Sequence, residues 1–297
     1  PRKEQDRICD KLQEVLPIVD NYDKFQSELN SLNSTIGERL KKTILQEAIQ
    51  GKLVPQISEE GTARELLEQI RQEKQKLVKE GKLRKSVLSD SVIYKGDDNK
   101  YYEQVGKSDK EITEEIAFDL PNGWSWCRLK DICSIFTGAT FKKEETVTTK
   151  EGVRILRGGN ISPFELRIKD DDIFLTKDKV KEDIILKEND ILTPAVTSLE
   201  NIGKMVRVNS DMPNTTVGGF VFIIRLYLKN QWLSKYILYL LSSPFMIDFM
   251  KSITNKSGQA FYNIGKERLS TALLPIPSLA EQHRIVAQIE KLFEQLR

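Results

Sequence analysis

Histidine, cysteine and long apolar runs are scarce in this 297-residue sequence, and their scarcity excludes several kinds of site. The single histidine, His283, excludes a histidine-rich metal site and argues against a Ser-His-Asp triad. The three cysteines, Cys9, Cys127 and Cys133, are odd in number and far apart, so they predict neither a disulfide framework nor a metal-binding pair. We interpret them as ordinary thiols in a reducing cytoplasm.

A membrane segment and a strong net charge are lacking as well. The apolar runs are much shorter than the roughly 20 residues of a membrane span, and no charged-then-apolar leader opens the sequence. We therefore expect a cytoplasmic protein that contacts no membrane. Lys and Arg number 46 against 44 Asp and Glu, a net charge of +2, so contact with a nucleic acid must use local basic clusters. Because the sequence begins at Pro1 rather than Met, we expect a fragment or a trimmed product.

The first 56 residues carry the heptad pattern of a coiled coil and predict a long spacer helix. The apolar residues that recur every seven positions are Ile8, Val15, Tyr22, Leu29 and Ile36. Pro17 predicts a bend and not an end, because the seam continues in register beyond it. Gly51 and Pro55 predict the end of the helix.

The remaining sequence divides into three parts. Residues 57–118 predict a second helix, which Thr62 and Glu65 begin as a capping box, and then a loop-rich connection with a short strand at 92–94. Residues 119–276 contain short apolar runs between glycine and asparagine turns, followed by helical spacing over 232–250. Residues 277–297 begin a second spacer helix. The predicted fold class is α+β, a mostly β globular domain flanked by long coiled-coil helices.

A five-residue motif occurs near both ends of the chain. Glu4-Gln5-Asp6-Arg7-Ile8 matches Glu281-Gln282-His283-Arg284-Ile285 at an offset of 277 residues (281 − 4), and the apolar seam continues in register after both. The same helix is therefore predicted to begin twice, so the chain holds about one period of a repeating unit. The second seam is Ile285, Ile289 and Leu292, and we predict that both seams contact a partner.

The sequence matches none of the enzyme motifs that we considered. Residues 258–266 lack the spacing of a phosphate-binding loop, and the pairs Gly158-Gly159 and Gly218-Gly219 lack the nucleotide fingerprint. No Asn-Pro-Pro-aromatic motif of an amino-methyltransferase occurs, and the acidic run at 170–172 is typical of a solvated turn. We predict a binding protein that has no catalytic, metal or cofactor site of its own.

Two glycine-containing stretches have the residue types that contact DNA. Arginine and asparagine have the forked geometry that reads guanine and adenine edges, lysine binds phosphate, and aromatic rings wedge or stack. We predict base contacts for Arg157, Asn160, Gln259 and Asn263, phosphate contacts for Lys142, Lys143 and Lys256, and DNA contacts of either kind for Arg154 and Tyr262. Taken alone, these residues fit surface loops with structural glycines better.

A series of short motifs, in order along the chain, resembles the specificity (S) subunit of type I restriction-modification systems, and specifically one half of it. The motifs are Leu120-Pro121-Asn122-Gly123-Trp124, Thr137-Gly138-Ala139-Thr140, Leu156-Arg157-Gly158-Gly159-Asn160-Ile161, Asn189-Asp190-Ile191-Leu192, Ser257-Gly258-Gln259 and Leu274-Pro275-Ile276-Pro277. The resemblance implies a non-catalytic subunit whose target-recognition domain reads one half-site of a two-part target in double-stranded DNA. It also implies spacer helices that dock methyltransferase (modification) subunits, which bring in the restriction subunits and bind the cofactors.

Two departures from the family pattern and two other functions stay open. A first recognition domain is missing, and Pro17 interrupts the spacer helix. The second half-site reader is then an identical chain in a homodimer, a different half-subunit, or another part of the same polypeptide. One alternative function is a coiled-coil scaffold whose globular domain binds protein. The other is a fused restriction enzyme whose catalytic part lies outside this chain.

Overall fold

The computed structural model describes residues 1–147, 151–257 and 260–296, apart from the side chains of residues 34 and 257. The α-helices are α1 (Arg2–Ile49), α2 (Ala63–Lys79), α3 (Leu129–Ile132), α4 (Gln231–Leu241), α5 (Pro244–Ser252), α6 (Lys266–Ser270) and α7 (Leu279–Gln295). Helices therefore occupy both ends of the chain, as the sequence predicts, and a helical group also follows the main strands.

The β-strands lie between residues 91 and 276 and form several small sheets. They are β1 (Ser91–Lys95), β2 (Tyr101–Val105), β3 (Ser108–Glu111), β4 (Ser125–Arg128), β5 (Cys133–Thr137), β6 (Thr146–Val147), β7 (Val153–Leu156), β8 (Ile161–Ser162), β9 (Glu165–Leu166), β10 (Ile173–Leu175), β11 (Ile191–Pro194), β12 (Val196–Thr197), β13 (Val206–Arg207), β14 (Thr215–Val217), β15 (Val221–Leu226), β16 (Thr254–Ser257), β17 (Phe261–Ile264) and β18 (Leu273–Ile276). The α+β fold class is confirmed.

Helix α1 is a single helix of 48 residues that continues through Pro17. From residue 1 to residue 33 every side chain is exposed, and only the last turns, with Leu45, Ala48 and Ile49, enter the core. The helix ends before Gly51, whose φ of 70° suits glycine and whose Cβ, if present, would lie 2.4 Å from Pro121 Cγ. The long helix and its end at glycine are confirmed.

Helix α2 begins at the predicted capping box. The Thr62 hydroxyl accepts a hydrogen bond from the Glu65 N–H at 3.4 Å, and the Glu65 carboxylate accepts one from the Thr62 N–H at 3.2 Å. Leu66 and Ile70 are buried on one face of the helix, which packs them against the main core.

The connection after α2 contains more structure than the sequence predicts. The expected strand is β1, but β2 and β3 complete a three-stranded antiparallel sheet in which Tyr94 pairs with Tyr102 and Glu103 with Lys110. All four residues of β3 are exposed, and the buried residue of β2 is Glu103. These two strands were missed because they lack the apolar alternation that marks a half-buried strand.

Buried ion pairs join this three-stranded sheet to the rest of the chain. Lys74, which is fully buried, pairs with Asp90 and donates to the main-chain oxygen of Asp131. Arg128 forms a bidentate pair with Glu103, at 3.1 and 2.7 Å. Buried contacts therefore cross the boundary that was predicted at residue 118, and residues 57–118 are packed onto the globular domain.

Two four-stranded sheets pack face to face in the globular domain. One has the strand order β14-β7-β10-β6 and the other β13-β11-β15-β5. Along β15, Val221 and Ile223 enter the core between the sheets, whereas Phe222, Ile224 and Leu226 enter the core shared with the helices. This alternation makes β15 the central strand of a layered helix–sheet–sheet arrangement.

The helical layer contains α4, α5, α7 and the end of α1. The predicted helical stretch at 232–250 is divided in two, because Ser243 caps α5 and Pro244 occupies its first position. Across the described part of the chain, no helix is both long and apolar enough to cross a membrane.

Candidate DNA interface

One end of the two packed sheets gathers the loops that carry most of the predicted contact residues. In one sheet Thr137 of β5 pairs with Phe222 and Pro194 of β11 pairs with Val221, so both strands end where β15 begins. In the other sheet β7 and β14 are parallel, and Leu156 pairs with Val217 at their common end. The loops 157–160, 195–198 and 218–220 and the first residues after β5, 138–140, therefore emerge side by side. We call this surface the loop end.

Main-chain hydrogen bonds fix the loops of the loop end to one another. The Ala139 N–H donates to Val217 O at 2.8 Å, and the Gly218 N–H donates to Leu156 O at 2.8 Å. A Cβ on Gly138 would lie 2.2 Å from Val217 O, so this close approach requires glycine. The loops are thus positioned before any ligand arrives, which lowers the entropic cost of binding.

A two-stranded ribbon, β16 and β17, extends the loop end. Its root is fixed where the Ile264 N–H donates to Ala195 O at 2.8 Å and where Val196 of β12 pairs with Asn263. Asn255 lies directly opposite Asn263, and both are exposed. A two-stranded ribbon has the width that the major groove admits, and amide side chains suit adenine edges.

The remaining predicted residues of the ribbon differ in their environment. Lys256 is exposed and lies opposite Tyr262, which is half-buried and packs against the main core. Tyr262 is therefore a support for the ribbon as well as a candidate contact. Gln259 lies outside the described residues.

Asn160 does not have the exposed position that was predicted for a base reader. It is 1% exposed, its Oδ1 accepts from the Arg157 N–H at 2.8 Å, and its Nδ2 donates to Arg167 O at 2.8 Å and to Asp172 Oδ1 at 2.6 Å. Both amide protons are used inside the protein, so the prediction of a base contact is corrected. Asn160 holds the 157–160 loop against residues 167–172.

Arg154 is also held internally. Its Nη1 lies 2.8 Å from Asp172 Oδ2, and its guanidinium lies over the Phe174 ring at 4.9 Å. Burial acts to raise the pKa of Asp172, but hydrogen bonds from the Lys169 N–H and Asn160 and the charge of Arg154 outweigh it and lower the pKa. Arg154 is thus the counter-charge of a buried carboxylate, while its DNA contact stays a prediction.

Arg157 is the predicted cation that remains available in the loops of the loop end. Arg157 is exposed, and its Nη2 makes a 3.3 Å ion pair with the exposed Asp171 carboxylate and a 3.2 Å hydrogen bond to the Asp171 main-chain oxygen. Such exposed contacts contribute little in water and are easily exchanged for a phosphate or a guanine. Lys142 and Lys143 are exposed as well, on the short turn of helix before β6. In this turn Glu145 pairs with Lys179 at 3.3 Å, and Thr146 of β6 pairs with Leu175, so both lysines lie beside the end of β10 and not at the loop end.

Sequence reasoning missed Phe220, the most exposed of the large apolar side chains in the described ranges, at 72%. The apolar run at 220–228 predicts a strand that includes Phe220, whereas β15 begins one residue later. The preceding pair Gly218-Gly219 was the available signal, since two glycines favour a loop.

The two predicted partner seams have different environments. The side chains of Ile8, Val15, Tyr22, Leu29 and Ile36 on α1 are 38–66% exposed. On α7, Ile285 and Ile289 are fully buried in the core of this same chain, and Leu292 is half-buried. The prediction of a partner contact is therefore corrected for Ile285 and Ile289, whose seam is covered by α1 and α4.

The second copy of the five-residue motif forms a clamp at the start of α7. The Glu281 carboxylate accepts from Trp124 Nε1 at 3.0 Å and from Gln56 Nε2 at 2.7 Å, and burial raises its pKa. Arg284 forms a 2.6 Å ion pair with Glu60. The clamp ties α7 to the segment that follows α1, whereas the first copy of the motif, at residues 4–8, is exposed.

No cluster suited to a metal ion was found among the described ranges, where no group of three or more His, Cys, Asp or Glu side chains could hold one. The buried thiols of Cys127 and Cys133 have raised pKa values because of their burial, which makes them poor nucleophiles.

Comparison with known proteins gives consistent matches along most of the chain. Residues 121–297 match the family model of the type I restriction modification DNA specificity domain. The Type I restriction enzyme EcoAI specificity subunit of Escherichia coli is 30% identical over 302 residues, covering 95% of this chain and 44% of the relative. The EcoEI specificity subunit of Escherichia coli is 26% identical, covering 93% and 44%. The chain thus spans less than half the length of these relatives.

Solved structures also show similarity. The HsdS subunit from Thermoanaerobacter tengcongensis has 23% identity and a TM-score of 0.42, over 61% of this chain and 40% of that chain. The S subunit of a type I restriction-modification system from M. genitalium has 20% identity and a TM-score of 0.39, over 60% and 41%.

Proposed function

The chain belongs to the type I restriction-modification DNA specificity family, and on that premise we propose that it reads one half-site of a two-part target in double-stranded DNA. The observation that carries this proposal is the convergence of the loops and the β16–β17 ribbon at the loop end, where the exposed cations and amides lie together.

Contacts at the loop end divide by chemistry into positioning and reading. Lys256 on the ribbon is exposed and suits a phosphate, and so do Lys142 and Lys143 away from the loop end; phosphate contacts fix the register without selecting a sequence. Arg157 suits a guanine edge and Asn263 an adenine edge, each worth about 1–3 kcal/mol of discrimination. Gln259 stays a predicted base reader.

Helix α1 would act as the spacer between two recognition units. Its 48 residues, at 1.5 Å each, span about 72 Å, close to two turns of duplex DNA at about 34–36 Å each. Its exposed apolar seam must be covered to be stable in water, and a helix from a second copy or from another half-subunit supplies a matching surface. The same helices would dock the methyltransferase subunits, through which restriction subunits join.

The pairing of α1 is tested by sedimentation at micromolar concentration. Tyr22→Glu places a charge in the seam and should shift the chain to monomer, whereas Ser27→Glu, five residues later on the opposite face, should leave association unchanged. A wild-type chain that sediments as a monomer, with or without its methyltransferase subunits, would contradict the pairing.

The reading function is tested by co-expressing the chain with its methyltransferase subunits and mapping methylated bases across the host genome. A recurrent two-part motif is expected; a symmetric motif indicates two identical readers and an asymmetric motif two different ones. Asn263→Ala should relax one base position of that motif. The control Asn214→Ala, an exposed asparagine at the opposite end of the sheets, should not. A chain that binds all DNA sequences equally would favour the scaffold alternative.

A further inference from the structure

We infer that Phe220 is a wedge that enters the base stack of the target, so that recognition depends also on how easily one base step opens. This inference rests on the proposed function, and it adds a residue whose contribution to specificity involves no hydrogen bond to a base. It follows from the position, rigidity and exposure of a single side chain.

The side chain of Phe220 is exposed, but its main chain is fixed on both sides. Its carbonyl accepts hydrogen bonds from the N–H groups of Ala195 at 2.8 Å and Val196 at 3.4 Å. The Val221 N–H donates to Gly218 O at 2.9 Å, which closes the turn that carries Phe220. A ring that is 72% exposed on such a rigid turn is presented to whatever approaches the loop end.

The surroundings of Phe220 indicate nucleic acid as that ligand. Val196, which contacts the Phe220 carbonyl, pairs with Asn263 of the ribbon, so the ring lies close to a proposed base reader. The loop end also carries the exposed Arg157, and the ribbon carries the exposed Lys256. A docking site for a hydrophobic protein partner would bring more apolar neighbours and fewer free cations.

The physical effect of such a ring on DNA is well defined. An inserted apolar side chain separates two base pairs and kinks the duplex by about 20–90°. The cost of opening depends on the step, because pyrimidine–purine steps unstack more easily than others. Phe220 would therefore select the sequence at a step that the protein does not hydrogen-bond.

The test compares DNA complexes of the chain and its methyltransferase subunits, on a duplex that carries the genome-methylated sequence. Bending is measured by energy transfer between the duplex ends, and unstacking by the fluorescence of 2-aminopurine placed at successive positions. The wild type should bend the duplex and brighten one position. Phe220→Ala should lose both signals. It should also bind about 10- to 100-fold more weakly, because the burial of a phenylalanine side chain in the complex is lost. Phe220→Leu should keep both signals, since leucine also serves as a wedge.

A matched control is Phe164→Ala, which removes an exposed phenylalanine whose ring packs on Tyr239 and Phe293, away from the loop end. It should leave bending and unstacking unchanged. If the Phe220→Ala complex still bends and unstacks the duplex, the inference is wrong, whatever else the substitution changes. If the wild type selects the target but neither bends nor unstacks it, the inference fails and the proposed function stands. If the wild type does not select any sequence, the proposed function itself fails.

Discussion

Replacing Asn160 by alanine separates an internal role from a base contact more clearly than any other substitution at the loop end. The change removes three hydrogen bonds: one accepted from the Arg157 N–H and two donated, to Arg167 O and to Asp172 Oδ1. It also leaves a space where a buried amide was packed.

The expected cost follows from what each former partner does afterwards. Arg157 and Arg167 are exposed residues, so the Arg157 N–H and the Arg167 carbonyl oxygen recover hydrogen bonds with water. The Asp172 side chain is fully buried, but it keeps Arg154 and the Lys169 N–H. Since a buried group without its partner costs about 1–3 kcal/mol, we expect a total loss of about 2–4 kcal/mol in the free energy of unfolding. At about 2–4 °C per kcal/mol, this corresponds to a fall in Tm of about 4–16 °C.

The assay is urea unfolding and calorimetry of Asn160→Ala beside Arg157→Ala. Arg157 is exposed, and its replacement should change the free energy of unfolding by less than about 0.5 kcal/mol. The reasoning is refuted if Asn160→Ala is as stable as the wild type yet loses discrimination at one base pair of the target. That result would restore Asn160 as a base reader.

Three further predictions concern charge. Arg157→Ala should cost about 1–3 kcal/mol on the cognate site and relax discrimination there, which competition against single-base variants of the site would measure. Lys256→Ala should weaken binding to all sequences alike and reduce the salt slope by about one, whereas Lys177→Ala, at the opposite end of the sheets, should leave the slope unchanged. The folded-state pKa of Asp172 is lowered, so its contribution to stability is present above its unfolded pKa, near 3.8, and is lost as pH falls below it. Asp172→Asn should therefore flatten stability against pH in acid; an unchanged acid limb would contradict the assignment.

The elements that could be predicted are those whose signals are local. The heptads of α1 and the capping box of α2 depend on spacings of seven and three residues, and both are present as expected. The sheet β1-β2-β3 could not be predicted, because its inward residue is the charged Glu103, whose partner Arg128 is 25 residues away in sequence.

The residue types of the candidate site could be predicted from the sequence, whereas the contacts and exposure of its individual side chains could not. The residue types suffice to propose Lys142, Lys143 and Lys256 as phosphate contacts, but not to show that Lys142 and Lys143 lie away from the loop end. The sequence around Asn160 and Arg154 gives no sign that both side chains bind Asp172, which was predicted to lie in a solvated turn. Whether an arginine or asparagine side chain is bound inside the protein or is free to contact DNA depends on its neighbours in three dimensions and not on its residue type.

The exposed part of α1 has a consequence for how distance along DNA is measured. Most helical stability in proteins comes from packing of an apolar face, and residues 1–33 have no such packing within this chain. In an unpaired chain their amide hydrogens should exchange quickly, while those of Leu45, Ala48 and Ile49 in the core exchange slowly. Under the proposed pairing, the seam would turn this fraying segment into a stiff rod. The interval between two half-sites would then be set only in the assembly, by the length of a rod that neither half forms alone.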